Sequence, residues 1–174
     1  MRWIASVNVS FRRILPVLLV LLLPAAARAQ YTYTTAAGSV TITGYDSSEK
    51  MTTISNKIDG LPVVCIERSA FYGCTNLLSV TIPNSVTKIR GCAFMGCGLT
   101  NVIIGSGVIN LETGVFYNCD RLTGVYFLGN APNRVGIDVF SGATNVTVYY
   151  LSGSTGWNKT FGGRPTAIWT EQSP

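Results

Sequence analysis

Phe71, Phe94, Phe116 and Phe140 stand 23, 22 and 24 residues apart, and the residues around them recur in step. A period of this length marks a solenoid, in which each repeat is one supersecondary unit that buries its apolar face only against the next. This constrains the chain more than any other feature. It also bounds what function can be read, because a stacked scaffold displays a surface and such surfaces bind many unrelated ligands.

The columns beside each Phe describe the unit. Five residues earlier stand Ile66, Ile89, Leu111 and Val135, and three residues later Cys74, Cys97, Cys119 and Ala143. Leu77, Leu99 and Leu122 follow, and then the pairs Val80/Ile82, Val102/Ile104, Val125/Phe127 and Val146/Val148. Those pairs alternate with polar or variable residues, the period of two of a strand with one buried face. Pro83 and Gly105 then punctuate the strand. The unit reads as a short parallel strand, a turn, a second extended piece (Ser85 to Ile89 in one unit) and a tight helical or 3₁₀ corner carrying Ala-Phe-x-x-Cys. The fold class is a repeat solenoid, mostly β, with a parallel strand ladder and a cap at each end. Strands stacked about 4.8 Å apart make five rungs a rod on the order of 25 Å long.

The unit Ala70-Phe71-Tyr72-Gly73-Cys74-Thr75-Asn76-Leu77-Leu78-Ser79-Val80-Thr81-Ile82-Pro83-Asn84-Ser85-Val86-Thr87-Lys88-Ile89 resembles the BspA-like leucine-rich repeat, common in secreted and surface bacterial proteins. The resemblance covers about residues 31–169. It implies an open, strand-lined solenoid, and adhesion to host or matrix proteins is known for some members. Three features depart from the pattern. Arg90 and Cys92 interrupt a usually small, Gly-rich stretch, Gly98 shortens the second unit, and the last unit lacks its Cys.

The flanks divide the chain further. In residues 1–29, Arg2, Arg12 and Arg13 precede an apolar run from Ile14 to Leu23, and Ala27-Arg28-Ala29 supplies a small-x-small cleavage signature. This is the plan of a secretory signal peptide. Exported material would begin at Gln30. The expected division is a signal peptide at 1–29, an N-terminal β cap at 30–57, the solenoid at 58–150, and a C-terminal cap and tail at 151–174. The N-terminal cap carries β-prone runs at Tyr31–Thr35, Val40–Thr43 and Thr52–Ile54. Trp157, Phe161 and Trp169 would seal the other end, since large rings cover an apolar layer economically.

Removing the signal alters the electrostatics. It takes four arginines and no acid, so 13 basic residues become 9 against 8 acidic ones. A net charge near +1 offers no footing for nucleic acid. A secreted or periplasmic, cell-surface monomer with no membrane insertion after cleavage is expected.

The chain has no histidine, which removes Ser-His-Asp and Cys-His arrangements and the commonest general base. Glu67, Arg90 and Glu112 share one column, and two glutamates two rungs apart would stand roughly 10 Å from each other, near the upper spacing of inverting glycosidases. With Arg90 between them both would stay ionised, so a solvated ion-pair ladder is the better reading. Cys74, Cys97 and Cys119 fit a buried column, where ladder neighbours about 4.8 Å apart lie beyond the usual disulfide Cβ spacing. Cys65 and Cys92 fall in other columns and read as exposed. Neither a metal site nor a cofactor is expected, and no catalytic residue is assigned.

What remains is the outward face of the ladder: Thr53, Thr81, Ile103, Tyr126 and Thr147. Thr81, Ile103, Tyr126 and Thr147 are the candidate ligand-binding residues, Ile103 and Tyr126 giving an apolar centre with polar flanks. The expected function is non-enzymatic binding or adhesion to an unidentified protein or glycan. A structural envelope module and a carbohydrate-binding or carbohydrate-active protein are the alternatives.

Overall fold

A computed structural model describes residues 31–46 and 49–170; the expected signal segment at 1–29 lies outside them. At the N-terminal end, β1 (Tyr31–Ala36) and β2 (Ser39–Tyr45) form an antiparallel hairpin. There follow β3 (Met51–Thr53), β4 (Lys57–Ile58) and β5 (Leu61–Ile66). The repeats then supply strands in alternation: β6 (Ser79–Ile82), β7 (Lys88–Ile89), β8 (Asn101–Ile104), β9 (Asn110–Leu111), β10 (Gly124–Phe127) and β11 (Arg134–Val135). The chain closes with β12 (Thr147–Leu151), β13 (Thr160–Phe161) and β14 (Arg164–Trp169).

Two seven-stranded sheets result. One runs β1-β2-β5-β7-β9-β11, with β4 paired beside β5, and the other β13-β14-β12-β10-β8-β6-β3. Each repeat contributes one strand to each sheet, and every pairing between repeats is parallel. Because β2 pairs with β5 and β3 with β6, the residues from Ser39 to Thr53 already feed both ladders. The repeat solenoid with a parallel ladder is the observed architecture.

Inside, the phenylalanines stack. Ring centroids are 4.6 Å apart for Phe71–Phe94, 5.5 Å for Phe94–Phe116 and 5.7 Å for Phe116–Phe140. Tyr45 adds a ring above Phe71 at 4.8 Å. The aliphatic residues five before each Phe occupy matching register, Ile66 beside Ile89 and Ile89 beside Leu111. All three are fully buried.

The corners are not helical, which corrects the helical or 3₁₀ expectation. In the first, the amides of Ala70, Tyr72 and Cys74 donate back to Glu67, Ser69 and Phe71, while those of Ser69, Phe71 and Gly73 reach across to Gly91, Ala93 and Met95 of the next rung. A helix directs its amides along its own axis, so this alternation excludes one. The backbone enforces it. Residues two before and two after each Phe (Ser69/Gly73, Cys92/Gly96, Gly114/Asn118 and Asp138/Gly142) all have φ between 54° and 82°, the left-handed region that helices avoid.

The thiol column is buried as expected, and its cysteines are free. They also do more than fill space. Cys97 Sγ donates to the Phe71 carbonyl at 2.9 Å and Cys119 Sγ to that of Phe94 at 3.0 Å. Cys65 departs from expectation: it is buried at 8% exposure. Burial pushes the thiol's pKa up, and the positive charge of Arg90 on the next rung opposes it. Cys92 is half-buried.

The last repeat corrects the alignment. Val148, not Val146, pairs with Val125, and Tyr150 pairs with Phe127. Val146, at 1% exposure, lies six residues after Phe140, as Leu77 and Leu122 do after their own Phe. A Val therefore fills the Leu column, and the link to the strand is one residue shorter. At the C-terminal end Trp157 and Phe161 seal the core. Trp157 stands 5.0 Å from Phe127, 5.1 Å from Phe161 and in parallel stack with Tyr150 at 5.0 Å. Arg164 Nη2 donates to the Phe140 carbonyl at 2.9 Å. Trp169 is not part of this plug.

Candidate functional site

The strands β3, β6, β8, β10 and β12 alternate inward apolar residues with outward ones, so two outward columns run along the ladder. One is Met51, Ser79, Asn101, Gly124 and Thr147; the other is Thr53, Thr81, Ile103, Tyr126 and Tyr149. Thr81, Ile103 and Tyr126 thus stand on consecutive rungs, as expected. Thr147 does not join them. The one-residue shortening after Val146 sets it opposite Gly124, and Tyr149 takes its place.

That replacement changes the character of the face. Tyr126 and Tyr149 stack with centroids 4.8 Å apart and planes 9° from parallel. Trp169, from β14, meets Tyr126 edge-on at 5.5 Å and 65°. The expected aliphatic–aromatic pair is the margin of a three-ring cluster. Gly124 makes room for it, since a Cβ there would lie 2.6 Å from Tyr126 Cε2 and 2.8 Å from its hydroxyl. The Tyr126 ring therefore lies back along its own strand, across the position a side chain at 124 would occupy.

All three rings are half-buried. Burial and the neighbouring Tyr149 raise the Tyr126 phenol pKa, so it stays a neutral donor and acceptor at physiological pH. Rings of this kind offer an apolar body with a polar edge, the combination favoured where partners dock. Sequence reasoning missed Tyr149 and Trp169. Counting six residues from Phe140 to Val146 would have recovered Tyr149, while Trp169, assigned to the cap with Trp157, carries no local signal of its true place.

The acid–base column is differently arranged. Arg90 Nη1 and Glu67 Oε1 form an ion pair at 3.2 Å, and the same oxygen accepts the Arg68 amide at 3.0 Å. Glu112 Oε2 accepts the Gly91 amide at 3.0 Å. The Arg90–Glu112 half of the expected ladder is replaced by this backbone contact. Among the described residues no group of three or more His, Cys, Asp or Glu side chains is placed to hold a metal.

Over residues 42–159 the sequence matches the model of the BspA type leucine rich repeat region, in six copies. The chain belongs to the BspA-type leucine-rich repeat family. Its fold is similar to that of a leucine-rich repeat protein of T. pallidum, at 25% identity over 70% of this chain and 69% of that one, with a TM-score of 0.60. It is equally similar to one from Bacteroides capillosus, at 26% identity over 70% and 94% of the two chains and a TM-score of 0.60. A leucine-rich cell surface protein of Faecalibacterium prausnitzii matches at 25% identity over 82% of this chain but 38% of its own, with a TM-score of 0.63. No functionally curated protein matches the sequence.

Proposed function

We propose that this BspA-type protein is exported and acts without catalysis, attaching to a protein or glycan surface through the outward face of its strand ladder. The observation that carries this reading is the cluster of Tyr126, Tyr149 and Trp169, bordered by Ile103 and Thr81. Aromatic residues gathered beside an aliphatic one are enriched where interfaces concentrate their energy. The signal-peptide pattern of residues 1–29 and the cell-surface description of the F. prausnitzii protein support an extracellular setting.

An array of glycans and matrix proteins probed with the exported protein tests the proposal. Capture of a defined partner, lost in Tyr126→Ala and Tyr149→Ala, is the expected result. A partner captured equally by both variants would move the site off this face. Failure to capture any partner would favour a structural envelope module.

A further inference from the structure

The other sheet carries a second concave surface of different chemistry. An open groove of about 580 Å³ follows β9 and β11 and the turns beyond them, with Arg68, Asn110, Glu112, Asn133 and Arg134 on its walls. An adjoining hollow of about 330 Å³ shares Asn110, Asn133 and Arg134 and adds Lys88. Parallel register sets Lys88, Asn110 and Arg134 in one column on consecutive rungs, so the two cations stand roughly 10 Å apart along the stack.

The charges on these walls are unbalanced. Among the described residues the one ion pair is Arg90–Glu67, which engages the carboxylate that precedes Arg68 in the chain. Arg68, Lys88 and Arg134 have no carboxylate partner there. The single acid in the groove, Glu112, is turned onto the Gly91 amide at 3.0 Å. The Arg68 guanidinium lies over Gly91, where a Cβ would stand 3.4 Å from both of its terminal nitrogens. The guanidinium therefore rests against the groove with its donors unspent.

We propose that this groove binds an acidic saccharide, with Arg68 and Arg134 holding its carboxylates and Asn110 and Asn133 its hydroxyls. Guanidinium groups match carboxylates in a two-pronged geometry. The walls hold amides, hydroxyls and the aliphatic Ile109, Leu111 and Val135, but no aromatic ring, so they lack the aromatic anchors that carry most protein interfaces. Three separated cations also fall short of the continuous basic track a nucleic-acid backbone needs. The site is separate from the aromatic face, and neither reading depends on the other.

Retention of the exported protein on immobilised polygalacturonate, with dextran, polyglutamate and duplex DNA as comparison polymers, tests the assignment. Binding to polygalacturonate at low salt, weakening as salt rises and absent on dextran, is expected. The double variant Arg68→Ala/Arg134→Ala should lose about tenfold or more in affinity, the loss expected for two charge-assisted contacts. Glu112→Gln keeps an acceptor for the Gly91 amide and removes the charge, so it should bind severalfold more tightly. That gain is the deciding arm if the double variant fails to fold. Equal retention on dextran, equal or tighter binding of polyglutamate or DNA, or unchanged affinity in Glu112→Gln overturns the proposal.

Discussion

Tyr126 and Tyr149 stack across adjacent rungs at 4.8 Å, in a register that sets Thr147 opposite Gly124. The pair is a minor contributor to stability and, in the proposed function, part of the binding surface. Tyr126→Ala should weaken capture of an identified partner by at least about 1 kcal/mol. The ring pair is also lost, costing roughly 0.5–1.5 kcal/mol of stability. Tyr126→Phe separates the two effects, because it keeps the stack and removes only the hydroxyl. Thr147→Ala should leave capture unchanged. Surface plasmon resonance and urea melts on the three variants check this.

Gly124→Ala offers a sharper probe. The new Cβ would meet the Tyr126 ring at 2.6 Å, and the ring, the free end of a flexible side chain, must swing away from its strand. Stability should change by less than about 1 kcal/mol, while partner capture falls as in Tyr126→Ala. Capture that survives a crystallographically confirmed displacement of the ring would show that its position is immaterial.

The core should respond in the opposite sense. Phe94 is flanked by Phe71 at 4.6 Å and Phe116 at 5.5 Å and is fully buried. Phe94→Ala should cost roughly 3–5 kcal/mol through lost transfer energy and a cavity. Phe127→Ala, at a position one residue along from Tyr126 and facing inward, belongs to the same class. Urea midpoints that shift by less than a tenth of this would mean that the ladder is not where stability resides.

Alkaline pH should loosen the stack. Burial pushes the Cys119 thiol from its ordinary 9.0 up to about 11, and Cys97 is also raised, chiefly by its contact with Cys74. Between those limits the unfolded chain has released the Cys119 proton and the folded chain has not, so stability falls as pH rises from 9 towards 11. The contribution is fully present below pH 9 and amounts to about 2–3 kcal/mol for Cys119. Cys119→Ala should flatten that slope while lowering stability at neutral pH, since its bond to the Phe94 carbonyl is lost. An unchanged slope would place the alkaline sensitivity on Cys97 or on the half-buried Tyr31, both raised above their ordinary values.

Much of the solenoid was legible because its determinants are periodic. Phe71, Phe94, Phe116 and Phe140 recur at the interval of one rung, and a ring that size has nowhere to go but against its counterparts above and below. The alternation in β6, β8 and β10 likewise separates inward Val80, Val102 and Val125 from outward Thr81, Ile103 and Tyr126 before any coordinates exist. The sequence by itself therefore determined the rungs, the core column and half of the outward face. The tertiary structure decided the rest. Corner conformation follows from amides that bond alternately within a turn and to the next rung, and half of those partners exist only once the rungs have stacked. Cys65 is buried because β2 and β7 flank it on either side in the sheet, setting Thr41 and Lys88 opposite it. Tyr149 and Trp169 reach Tyr126 because parallel register, set by hydrogen bonds between segments some twenty residues apart, decides which side chains become neighbours.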